Sequence, residues 1–270
     1  MSPPSRLRAI VSGAVRFAAD ARDLLFPPHC PACGERLEAA PDAGLCTPCR
    51  RELPLPEGEL CPGCGIAAAE VGSFCPACRG RYTMDAVFFA AAYAGTAKAL
   101  VHRFKYRADF AAGRFLARLL AARVGAAPAG RIDLVVPVPL HRRRLGGRGF
   151  NQAALLARDV GRHLGAPCAL SALARSRHTR SLAGLPPHER GCELLGAITV
   201  RRPGQIAGRR VLLVDDVLTT GTTAESCCAE LKAAGAAWTG VAVAARVLLP
   251  LRQREPGADV KCLTGAEIDR

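Results

Sequence analysis

The chain has 270 residues, 50% of them apolar and 22% charged, a composition that can bury a core and excludes wholesale disorder. No apolar run reaches the ~18–20 uncharged residues of a membrane span, and no small-residue cleavage site follows a clean apolar stretch, so a soluble, cytoplasmic protein of one or two domains is expected. The formal charge of +14 is carried almost wholly by arginine, with only Lys98, Lys105, Lys232 and Lys261 as lysines; it favours phosphorylated partners without separating a metabolite from a nucleic acid.

Taken in chain order, residues 1–26 form an N-terminal extension in which Met1–Asp20, Arg-studded and weakly amphipathic, is expected to be an exposed helix, with a membrane-surface contact as the alternative. Residues 27–80 hold eight of the thirteen cysteines as four CxxC pairs: Cys30/Cys33, Cys46/Cys49, Cys61/Cys64 and Cys75/Cys78. The same stretch holds nine of the twenty prolines and few large apolar side chains, so burial alone cannot fold it. A CxxC turn brings two thiolates to one metal, and two such turns complete a tetrahedral Cys₄ site. Two structural zinc ions, at ~10–16 kcal/mol each, would supply the missing folding free energy. A disulfide framework is the alternative, but it needs an oxidising compartment that nothing else in the chain suggests. Spacing leaves open whether the pairs ligate in sequence order or interleave.

Residues 81–250 change texture. A strand is expected at Ala86–Tyr93, then helices at Thr96–Tyr106 and Asp109–Val124, and a buried strand at Ile132–Val136 running into Pro137-Val138-Pro139. A helix at Asn151–Leu164 follows, with short strands at Ala169–Leu173 and Ala197–Val200, a strand at Val211–Val214, a helix at Thr222–Ala234 and a last strand at Val241–Val247. Strands alternating with helices predict an α/β fold, a mainly parallel sheet with helices on both faces and ligands at the carboxyl ends of its strands. Cys227 and Cys228 are expected as small core residues, Cys168, Cys192 and Cys262 have no partner at ligand spacing, and residues 251–270 form a polar tail.

The sharpest signal is Val211-Leu-Leu-Val-Asp-Asp-Val-Leu-Thr-Thr-Gly-Thr-Thr223. An apolar strand delivers Asp215 and Asp216, and the turn Thr219, Thr220, Gly221, Thr222, Thr223 opens a helix whose N-terminal amides and macrodipole suit a phosphate. The two acids are placed to hold a sugar's hydroxyls or a Mg²⁺ bound to them. A strand, an Asx turn and a ligand-free N-cap is the plainer alternative; it suits a lone Thr-Thr-Gly better than this whole register. The segment closely resembles the phosphoribosyl pyrophosphate signature of type I phosphoribosyltransferases.

Together with Asp23–Cys30, Tyr93–Lys98, His102-Arg-Phe-Lys-Tyr106, Pro137-Val-Pro-Leu140 and Arg148-Gly-Phe-Asn-Gln152, in that order, it resembles the ComF family of competence-linked proteins over residues 20–247. The resemblance implies a double zinc ribbon fused to a type I phosphoribosyltransferase-like domain, with a link to uptake of transforming DNA. It implies Asp215 and Asp216 on the ribose hydroxyls, Thr219 to Thr223 on the 5-phosphate, and a pyrophosphate loop at Pro137 and Val138. Arg148 and Lys105 are further phosphate candidates, with Arg142, Arg143 and Arg144 nearby, while His102 receives no role and Asn151 can simply cap its helix. In the family's mobile segment the chain keeps Thr179, Leu185 and Arg190 but has Leu182 and Glu193 where amides are usual. Thr219 replaces the third carboxylate of purine transferases, which disfavours a purine acceptor. Two functions remain: a Mg²⁺-dependent transferase of unidentified acceptor, or a non-catalytic module that senses phosphoribosyl pyrophosphate or a nucleotide, or holds single-stranded DNA and a DNA-uptake helicase. Whether it forms a homo-oligomer is left open.

Overall fold

Two long apolar segments, Val211–Val214 and Val241–Ala245, are fully buried, as strands covered on both faces must be. They are the centre of the sheet. In the computed structural model, which describes residues 27–37, 44–56, 58–63, 68–76, 78–127, 130–141, 145–146, 149–176 and 196–248, the elements run α1 (Thr47–Arg51), β1 (Ala86–Ala92), α2 (Gly95–Arg107), α3 (Phe110–Gly125), β2 (Leu134–Pro137) and α4 (Gln152–Leu164). They continue as β3 (Leu173–Arg175), β4 (Ile198–Val200), a 3₁₀ turn (Pro203–Gln205), β5 (Arg210–Leu218), α5 (Thr222–Ala233) and β6 (Trp238–Arg246). The main sheet has the order β1-β6-β5-β2, parallel throughout. Expectations for residues 1–26, Cys64, Arg142 to Arg144, Arg148, the segment holding Thr179 to Glu193 and Cys192, and the tail with Cys262 fall outside the described residues.

Helices cover both faces. Phe104 of α2, Leu116 and Leu120 of α3 and Leu156 of α4 pack with Phe88, Val135 and Leu212 on one side; Cys227, Cys228 and Leu231 of α5 pack with Val87, Leu213 and Val243 on the other. Local chemistry sets the helix ends. Asp109 caps α3 by accepting from the Ala111 and Ala112 amides at 3.1 and 3.2 Å, and Asn151 caps α4 by accepting from Ala153 at 3.0 Å, each satisfying donors a helix start leaves open.

Two sequence expectations are corrected. The strand expected to stop at Val214 continues to Leu218, because Asp215, Val217 and Leu218 keep pairing with Val243, Ala245 and Arg246 of β6; both acids therefore lie within β5 rather than after it. The strand expected at Ala169–Leu173 lies instead at β3, which pairs only with β4 in a separate antiparallel ribbon. Leu170 and Ser171 are exposed in a turn, so the apolar run there marks partial burial and not a strand. The preceding residues extend the sheet by one bridge, with the Val135 amide on the Pro167 carbonyl and the Ala169 amide on the Val135 carbonyl, both 2.9 Å.

The cysteine-rich segment is not a detached module. Its backbone covers the free edge of β1: Val87 donates to the Gly72 carbonyl at 3.0 Å and Ala92 to the Pro54 carbonyl at 2.8 Å. A Cβ at Gly72 would stand 2.4 Å from the Phe88 ring, so only glycine allows this approach. Leu37 and Leu45 are buried in the same core as Phe88 and Leu100, Arg123 pairs with Glu59 at 2.7 Å, and Arg246 of β6 donates to the Pro62 carbonyl. The few apolar side chains of the segment are spent against the sheet. Among the described residues no helix is long and apolar enough to cross a membrane.

Candidate functional site

Parallel pairing puts the carboxyl ends of β2 and β5 side by side. Pro137 is in register with Val214, and the Val138 amide donates to the Val214 carbonyl at 2.9 Å, so the Pro137-Val138 turn lies directly beside Asp215 and Asp216. The Val138 carbonyl in turn accepts from the Asn151 side-chain amide at 3.2 Å. Asn151 thus does more than cap α4: its oxygen holds the helix and its nitrogen holds the loop.

Lys105, near the end of α2, reaches the same place. Its ammonium lies 2.9 Å from the Asp216 carboxylate, both side chains being largely buried. The Lys105 carbonyl accepts from Gln152 at 3.5 Å, and Phe150 packs its ring against Phe104 and Phe110 at 5.9 and 5.5 Å. The described part of the Gly149-Phe-Asn-Gln152 motif therefore orients α2, the β2 loop and Lys105 around the acids. His102 lies exposed against Tyr106, ring centroids 4.7 Å apart.

The two acids differ. Asp215 accepts from the Asp216 backbone amide at 2.8 Å. Burial, then the Asp216 carboxylate, raise its carboxyl to about 7 against the opposing pull of that amide, Lys105 and Arg175. Arg175, at the end of β3, is the residue that sequence reasoning missed. Its charge acts on both Asp215 and the buried Cys227. Nothing in Leu173–Arg175 marks it, because its proximity to β5 is made only by the β3/β4 ribbon folding back.

Beyond the acids, Thr219 and Thr220 turn into α5. Gly221 sits at φ +92°, a conformation open to glycine and strained for other residues, while the space around it is nearly empty, its Cβ position meeting only Leu218 at 3.9 Å. Conformation, and not crowding, requires the glycine. Thr220 and Thr222 share a hydroxyl hydrogen bond of 2.9 Å, and Thr222 is buried. No described backbone acceptor takes up the Thr219 or Gly221 amide. The arrangement offers amide and hydroxyl donors at a helix start, next to two carboxylates and a lysine.

At the other end of the chain, the sulfurs of Cys30, Cys33, Cys46 and Cys49 form one cluster and those of Cys61, Cys75 and Cys78 another, each within 4.8 Å. The described cysteines therefore group in sequence order. Amides of Cys46, Glu35 and Cys75 donate to the sulfurs of Cys30, Cys33 and Cys61 at 3.5, 3.5 and 3.2 Å, the bonding that favours thiolates. Burial opposes ionisation of Cys30, yet amides of Cys33, Cys46 and Ala32 hold its thiol down to about 6, while burial and the neighbouring Cys46 and Cys33 push the Cys49 thiol up. Four such sulfurs with no disulfide among the described cysteines fit structural zinc; Cys64 lies outside the described residues.

Two family models match parts of the chain. Residues 21–83 match the double zinc ribbon domain family and residues 151–263 the phosphoribosyl transferase domain family. The chain is 31% identical over 189 residues to Competence protein F of Haemophilus influenzae, covering 67% of this chain and 80% of that protein. It is 33% identical over 187 residues to the DNA utilization protein YhgH of Escherichia coli K12, covering 67% and 80%. With Competence protein ComFC of Bacillus subtilis it shares 27% identity over 191 residues, covering 68% and 75%.

Proposed function

Because the chain belongs to the ComF family, we propose that it binds phosphoribosyl pyrophosphate with Mg²⁺ at the end of β5 and serves the handling of incoming DNA or the nucleotide metabolism tied to it. The observation that carries this reading is the placement of Asp215 and Asp216 within one strand, immediately before a threonine- and glycine-rich helix start. The acids accept hydrogen bonds from the ribose hydroxyls, and the Thr219–Thr223 donors take the 5-phosphate. The Pro137-Val138 turn faces the pyrophosphate, with Lys105 and Arg175 supplying positive charge. Mg²⁺ would be held through Asp215 or Asp216 and would neutralise charge on the leaving pyrophosphate. The acids orient the sugar; they transfer no proton in breaking the C1–O bond.

Calorimetry on zinc-loaded protein tests this. Micromolar phosphoribosyl pyrophosphate affinity that disappears without Mg²⁺ is expected. Absence of heat with the wild type, or equal binding by Asp215→Ala/Asp216→Ala, would overturn it. Pyrophosphate release across a set of bases and nucleotides then separates a transferase from a sensing module, since only the former turns over. A role for direct single-strand binding rests on the chain's +14 charge and predicts retention that falls steeply with salt.

A further inference from the structure

The β5 site lies at the carboxyl end of the sheet, but a cavity of about 380 Å³ opens at the opposite end, in the size range of small-ligand sites at about 300–1,000 Å³. Its floor is Leu134, the first residue of β2, in register with Val211 of β5. Val211 and Asp216 are separated by roughly 16 Å along the strand at ~3.3 Å per residue, so the two places are distinct. Its apolar lining includes Leu170, 41% exposed. Arg202, Arg209, Gln205 and Ser171 line it as well.

Among the described residues no carboxylate pairs with Arg202 or Arg209. Asp133 accepts from the Arg210 amide at 3.0 Å, and Asp159 pairs with Arg162 at 2.6 Å. Arg158 adds to the positive field, since its charge acts on Cys168, which also lines the cavity. Two arginines in one lining match the charge of a phosphate dianion. An apolar wall beside an amide and a hydroxyl matches the flat face and polar edge of a base.

We propose that this cavity is a second ligand site, taking a nucleoside monophosphate with its phosphate on Arg202 and Arg209 and its base against Leu134 and Leu170. The site does not depend on the phosphoribosyl pyrophosphate reading, and the test keeps the two apart. Full-length, zinc-loaded Asp215→Asn/Asp216→Asn protein is titrated with 5′-AMP, with inorganic phosphate and with a ten-nucleotide single strand. The expected result is AMP binding that falls tenfold or more when Arg202→Ala/Arg209→Ala is added. Phosphate alone should bind at least tenfold more weakly than AMP. Leu170→Ser, a neutral change at an exposed position, should weaken AMP while sparing phosphate. Three results would overturn the proposal: no AMP binding, AMP binding indifferent to the arginines, or phosphate binding as tightly as AMP. Arginine-dependent binding of the oligonucleotide alone would also overturn it, marking a polynucleotide surface instead.

Discussion

Asp215 carries the strongest electrostatic conflict among the described residues of the β5 site. Its carboxyl is raised to about 7, so in the unliganded protein it is protonated below neutrality, whereas the proposed hydroxyl-binding role needs the carboxylate. Mg²⁺-dependent ligand affinity should therefore fall about tenfold per pH unit below 7 and level off above it, and Asp215→Asn should abolish this slope in calorimetry at pH 5.5–8. Stability runs the other way. A raised carboxyl favours the folded state fully below its unfolded value of ~3.9, and that contribution is lost as pH rises through about 7. Relative to Asp215→Asn, the wild type should thus lose melting temperature between pH 4 and 8. Lys105 is tested separately: Lys105→Met leaves Asp216 largely buried without its cation and should cost about 1–3 kcal/mol in denaturant melts. Adding Asp216→Asn should recover part of the loss, since the coupling of a pair is read by the double-mutant cycle. The doublet itself was legible in the sequence because two acids after an apolar strand have few other uses. The Lys105–Asp216 contact was not, since it joins positions far apart in the chain.

At the scale of elements, the β5–α5 turn depends on a left-handed Gly221. Gly221→Ala should destabilise by about 1–2 kcal/mol through backbone strain alone, because its Cβ would meet no close neighbour. Phosphoribosyl pyrophosphate affinity should fall with it, while zinc content stays unchanged. Helix positions were largely legible, because caps such as Asp109 and Asn151 and the glycine ending α4 act within a few residues. Strand ends were less so. β5 outran its apolar run because β6 was there to pair with Asp215 to Leu218, and β3 began later than expected because a turn occupies Leu170 and Ser171. Pairing is decided by the neighbouring strand, which a local pattern does not contain.

At the scale of the molecule, the cysteine-rich segment and the sheet share one core. It closes the β1 edge and feeds Leu37 and Leu45 into the cluster that holds Phe88 and Leu100. Glu225 of α5 adds a second tie, accepting from the Thr83 amide in the stretch that joins the segment to β1. Chelation of zinc should therefore lower the melting temperature of the whole chain in a single transition, followed by circular dichroism and scanning calorimetry. Two separate transitions, with the sheet melting unchanged, would show that the ribbons fold independently.

Zinc-binding chemistry, the α/β alternation and the run of two acids before a threonine- and glycine-rich helix start were legible in the sequence alone, because each depends on residues close enough in the chain for spacing to encode geometry. The tertiary structure alone decided that the described cysteines group in order, that the cysteine-rich segment caps the sheet edge, that Arg175 and Lys105 converge on the acids, and that a cavity with two arginines opens at the far end. Those outcomes depend on which surfaces meet once the chain closes on itself, and the burial that drives this closure has no direction written into any single segment.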